Sequence, residues 1–129
     1  MPGDGSEPFQ YAVLRVVPDL ERGEALNAGV VLFSRRHGFL AARTRLDRER
    51  LAVLAPDADA DAIQERLHQL ERAARADPAA GSIAALDASE RFGWLTAPAS
   101  TVVQPSAVHT GLCDDPAAML ERLFERLVA

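Results

Sequence analysis

The feature that most limits the fold of this chain is a change of period just after residue 45. Before it, three apolar runs rich in β-branched and aromatic residues follow one another, with turn chemistry between them. After it, apolar residues recur at helical spacing. Strands first and helices later point to helices laid on an antiparallel sheet, whereas a doubly wound fold needs strict strand-helix alternation. The expected class is α+β: a small antiparallel or mixed sheet, whose N-terminal strands include a hairpin, packed against two main helices.

Residues 9–17 (FQYAVLRVV) are apolar on both alternating faces, which predicts an interior strand covered on two sides and stopped by Pro18. Residues 28–34 (AGVVLFS) predict a second strand, and residues 35–38 (RRHG) a hairpin turn with Gly38 free to take a positive φ. Residues 39–45 (FLAARTR) alternate more clearly, as an edge or half-exposed strand does. A short helix is expected over 47–54, then Pro56, then the most secure element, a helix over 61–75 with Ile63, Leu67, Leu70 and Ala74 on one side. Asp61 and Gln64 have the spacing of a capping box.

Residues 81–99 fit no single period. Short strands are expected over 100–103, stopped by Pro105, and over 107–110. Asp115 offers an N-cap, with Pro116 at the first helical position and Leu120, Leu123, Phe124 and Leu127 as the apolar stripe of a last helix. Residues 1–8 (MPGDGSEP) read as a disordered tail, and residues 9–129 as one domain.

Several function classes fall away on composition. All fourteen basic residues are arginine. Without lysine there is no phosphate-loop lysine, no kinase strand lysine and no amine for a Schiff base. The net charge of -5 repels a phosphate backbone at long range, which disfavours nucleic acid as a partner. The lone cysteine, Cys113, allows no internal disulfide. Apolar runs are too short to span a bilayer and the N-terminal residues lack a secretory pattern, so a cytoplasmic protein without a membrane partner is expected. His37, His68 and His109 are scattered and no CxxC or HxxxH spacing occurs, so neither a metal nor a cofactor is assigned. Asp57, Asp59 and Asp61 lack the glycine and distal glutamate of a calcium loop, and read better as acids at a helix N-terminus.

Two polar clusters remain. The first gathers Arg15, Asp19, Arg22, Glu24 and Asn27 beside the first two strands. Arg15 shares a strand face with Tyr11 and Val13, and an arginine on an apolar face needs a partner. That partner is either Asp19 or Glu24, or else a carboxylate or phosphate ligand. The second cluster holds Arg91, Trp94, Ser100, Thr101 and His109, with Thr96, Gln104, Ser106 and Thr110 around them. It reads either as a loop with Trp94 as a core plug or as the wall of a pocket. His109 and Cys113 are four apart, which is weak support for a catalytic thiol. No catalytic residue is assigned.

The string YAVLRVVPDLERGEALNAGVVLF over 11–33, the segment RFGWL at 91–95, Ser100-Thr101 and His109-Thr110-Gly111 together resemble a bacterial family known as domain of unknown function three-zero-three-seven. The likeness covers nearly the whole chain, apart from the first eight residues and the middle helix. It brings no catalytic residue with it. It does imply a partner, because similar proteins are often encoded beside a kinase-like protein of the HipA type. Three readings therefore stand in order. The first is an accessory or regulatory binding module for a kinase-like partner. The second is an enzyme or binding protein for an anionic, phosphorylated small molecule, with Arg15, Arg22 and Arg91 holding the anion, Asp19 or Glu24 as base and His109 as acid. The third is nucleic-acid binding through Arg35, Arg36, His37, Arg43 and Arg45 on the hairpin.

Overall fold

A computed structural model of the chain describes residues 6–99 and 101–128. Its strands are β1 (Glu7–Val16), β2 (Leu26–Ser34), β3 (Phe39–Thr44), β4 (Val103–Pro105) and β5 (His109–Cys113). Its α-helices are α1 (Arg48–Leu54), α2 (Ala60–Ala74), α3 (Ala88–Leu95) and α4 (Pro116–Leu127), with a 3₁₀ segment at Pro78–Ala85. The class is α+β, and every strand pairing is antiparallel.

β1 is the spine of the sheet. It pairs with β2 along one edge, while β3 pairs with β2 further out. Its other edge is shared, β4 taking Leu14 to Val16 and β5 taking Glu7 to Tyr11. Ser106 fills the gap between them. Its N–H donates to the Val13 carbonyl at 2.8 Å, and its Oγ accepts from the Val13 N–H at 2.9 Å. The ladder on β1 is thereby continued by one side chain.

Alternation along β1 sends Ala12, Leu14 and Val16 to one face and Phe9 and Tyr11 to the other. β2 would lose this phase because Leu26 and Ala28 face the same core as Val31 and Phe33, an odd number of residues away. A register shift opposite Leu14 and Arg15 absorbs the extra residue. Gly29 sits at that bulge, where a Cβ would meet Thr44 Cγ2 at 2.9 Å and the Arg43 carbonyl at 3.0 Å.

On the first face lies the larger core. Ile63, Leu67 and Leu70 of α2, Phe92 and Leu95 of α3 and Leu51 of α1 cover it. The second face carries a smaller core, Phe9, Val30, Leu32 and Cys113 against Leu120 and its neighbours on α4. α4 packs across β2 and β3. Arg43 of β3 lies over the Phe124 ring at 4.7 Å and pairs with Glu121 at 2.5 Å, fixing α4 on that side.

Aspartate starts each of these helices. Asp47, Asp59, Asp77, Asp87 and Asp115 are the N-caps, each accepting a backbone N–H of the first turn. Much of the acidity of the chain is thus helix-start chemistry. The expected cap at Asp61 is corrected to Asp59, whose carboxylate reaches the Ala62 N–H at 3.0 Å. Asp61 instead pairs with Arg48 at 2.9 Å. The capping box belongs to Asp87 and Glu90 at the start of α3, within the stretch that showed no clear period.

Other boundaries shift for identifiable reasons. β1 begins at Glu7, two residues before the apolar run, because pairing with Cys113 and Leu112 extends it. β4 includes Pro105 instead of ending before it, since β4 is an edge strand and can spare an N–H. The strand expected over 107–110 is β5 at His109–Cys113, because Ser106 and not Ala107 resumes the contact with β1. The expected last helix is α4, with Asp115 as cap and Pro116 in its first turn.

Candidate functional site

The candidate residues divide among three places. Arg15, Asn27 and His109 lie on the second sheet face, the side of α4. Registration fixes the arrangement. Arg15 is opposite Asn27 on β2 and Gln104 on β4, so the three form one row across three strands. His109 is opposite Tyr11, and their rings lie 5.2 Å apart at 32°. Val13 occupies the strand between these rows and is buried. Tyr11 and Arg15 are four residues apart on one strand, so the rows are separated by about 13 Å.

This strip is open because α4 covers only the other half of the face. Arg15, Asn27 and His109 are exposed, and Tyr11 and Gln104 are half-buried. The side-chain N–H of Asn27 donates to the Leu127 carbonyl at 3.0 Å, which ties the strip to the end of α4. Arg15 makes neither of the pairings expected of it. Glu24 pairs with Arg22 at 2.7 Å, and Asp19 accepts the N–H groups of Glu21 and Arg22 in its own turn. Arg15 has no ion pair or hydrogen bond within the described residues.

Asp19, Arg22 and Glu24 line a second place, a cavity of about 320 Å³ between the β1–β2 connection and the loop after α1. Gly23, at φ 71°, lets the connection turn back toward β2. This cavity shares Glu24 and Leu54 with a hollow along α1. It shares Pro18 and Ala58 with an apolar cleft of about 430 Å³ between α2 and residues 101–103. That cleft in turn shares Arg66 and Val103 with a hollow beside Trp94. Linked by these shared residues, the four depressions follow one another along a path, here called the furrow, with the exposed apolar side chains of Val53, Val102 and Trp94 along it. Thr101 lines it too, with its hydroxyl donated to the Val103 carbonyl at 2.9 Å. Arg66 lies over the Trp94 ring at 5.8 Å. Trp94 is therefore 40% exposed beside a hollow and is not a core plug.

Arg91 stands apart from both. Its guanidinium donates to the Leu86 carbonyl at 2.7 Å and the Ala74 carbonyl at 3.4 Å, holding the end of α2 to the segment before α3. Ser100 lies outside the described residues. The geometry therefore brings together Arg15, Asn27 and His109, and separately Asp19, Arg22, Glu24, Thr101 and Trp94. It does not bring Arg22 and His109 to one cleft: His109 sits opposite Tyr11, about 17 Å of strand from the end of β1 where the Arg22 connection begins.

The remaining groups are engaged elsewhere. On the hairpin, Arg36 lies near Glu7 at 3.8 Å, Arg35 donates to Ser89 and His37 contacts the Cys113 carbonyl at 3.3 Å. Cys113 is buried, and that burial, with Asp114 and Asp115 nearby, pushes its thiol above the usual value of 9.0. That is the opposite of what a nucleophilic thiol needs. Among the described residues no group of three His, Cys, Asp or Glu could hold a metal ion, and no helix is long and apolar enough to cross a membrane.

Gln104, named around the second cluster, and Tyr11, named on the strand face of Arg15, complete the open strip. Period-two counting sets Tyr11 beside Arg15, whereas only the pairing of β1 with β4 brings Gln104 to it.

Fold and site define a three-layer α+β protein with an apolar furrow at one end of its sheet and a polar strip left open on one face. The chain belongs to the family described as "Protein of unknown function (DUF3037)", which matches residues 11–128. Neither a curated protein nor a solved structure matches it.

Proposed function

We propose that this protein is an accessory binding module that grips a kinase-like partner along the furrow. The observation that carries the reading is the continuity of four depressions bordered by exposed Val53, Val102 and Trp94. Aromatic and aliphatic anchors beside hollows are where binding energy between proteins concentrates. The Arg22–Glu24 pair and Arg66 punctuate the furrow with charge, which suits orientation of a partner more than chemistry. The separation of Arg22, Arg91 and His109 counts against one acid-base cleft made from both clusters. The kinase-like identity of the partner rests on the family resemblance.

The test is co-expression with a HipA-type kinase-like protein, the partner that the family resemblance implies, followed by size exclusion with and without nucleotide. A stable complex is expected, weakened at least about tenfold by Trp94→Ala or Val102→Asp. Failure to associate in every nucleotide condition would sink the partner assignment. An association untouched by both substitutions would move the interface off the furrow.

A further inference from the structure

The open strip beside α4 belongs to no part of that interface, and its composition is unusual for this chain. Among the described residues six arginines are paired with carboxylates, and Arg15 is one of those that are not. β4 and β5 carry no acid, and the one acid of β1, Glu7, faces Arg36. An acidic protein thus presents strands without acid on this face beside a guanidinium that has no partner among the described residues.

The rows on either side of Val13 differ in kind. At one end the exposed His109 ring lies 5.2 Å from that of Tyr11, which stacks on Phe9 behind it. At the other, Arg15 stands between two amides, Asn27 and Gln104. A planar group stacks on the first, and a phosphate takes the fork of the second with amide donors at its flanks. The rows lie about 13 Å apart at the backbone. A guanidinium leaning toward Val13 leaves a gap of the order of a sugar and its phosphate ester.

We propose that this strip binds a nucleoside monophosphate, with its base against His109 and Tyr11, its sugar spanning the two rows and its phosphate on Arg15, Gln104 and Asn27. The site uses none of Asp19, Arg22 or Glu24 and requires no catalytic group.

The full chain, labelled with nitrogen-15, is titrated with adenosine monophosphate, ribose 5-phosphate, adenosine and inorganic phosphate while its amide spectrum is followed. The monophosphate is expected to shift amides of both rows, ribose 5-phosphate those around Arg15, and adenosine those around Tyr11 and His109. Arg15→Gln should weaken the monophosphate by about tenfold or more and leave adenosine unchanged. His109→Ala should weaken the monophosphate by about fivefold or more and leave ribose 5-phosphate unchanged. The spectra of the variants report their folding directly. The proposal is overturned if millimolar monophosphate shifts no amide of this face, or if both variants bind as the parent does. It is equally overturned if inorganic phosphate binds as tightly as the ester, because the rings then contribute nothing.

Discussion

The two faces of the sheet are built by one alternating pattern and finished differently. On one, α1, α2 and α3 close over Leu14, Val16 and Val31, and the polar groups nearby are spent on structure, with Arg91 clamping two carbonyls and aspartates capping helices. On the other, a single helix covers β2 and β3, and the residues beyond it include an arginine with no partner among the described residues. Polar residues acquire structural work where helices converge. Where a single helix leaves half a face bare, they stay free to meet a ligand.

The sharpest way to break this comparison is to cut both cores. Leu67→Ala, at a fully buried position under α2, should cost about 3–5 kcal/mol, and Leu120→Ala under α4 about 2–3 kcal/mol, in urea unfolding. Equal costs would mean that the smaller core is as tightly packed as the larger. Next in size is Arg91→Gln, which strands the Leu86 and Ala74 carbonyls and should cost about 2 kcal/mol. A neutral outcome there would return Arg91 to the pool of functional arginines. By contrast, Arg15→Gln should change stability by less than about 0.5 kcal/mol, since nothing in the fold uses that guanidinium. A loss much above this would make Arg15 a structural residue.

The smallest expected effect concerns Cys113. Its thiol is raised above 9.0 in the folded protein chiefly by burial. A raised value means that the folded state keeps its proton while the unfolded chain loses it. Cys113 therefore supports the fold below about pH 9 and gives up that support as pH climbs toward the folded value. Melting temperature should fall slightly more above pH 9 for the parent than for Cys113→Ala, and a thiol reagent should label the native protein slowly at pH 7.5. Rapid labelling would show an accessible thiolate and revive a nucleophilic reading.

Where local chemistry decides, the residues could be read in advance. β2 and β3 with their turn, and α2, stand where apolar period places them, and α4 starts at the cap that Asp115 offers. α3 was hidden because Gly93 and a short span dilute its period, although its capping box at Asp87 and Glu90 was there to be found. The polar candidates were legible as types but not as sites. Arg15 and His109 are far apart in sequence and share one sheet face only because β5 pairs with the strand that carries Arg15. Arg91 looked like a ligand-binding arginine, but its role depends on two carbonyls exposed by a helix end and a turn.

The sequence by itself determined the class of fold, the absence of lysine chemistry and the aspartates that start the helices, because period, composition and capping act within a few residues. Tertiary structure alone decided which polar groups remain unpaired. A hydrogen bond or ion pair depends on distance, and the distances between Arg15, Asn27, Gln104 and His109 exist only once three separate strands have registered on β1 and α4 has settled across half of one face.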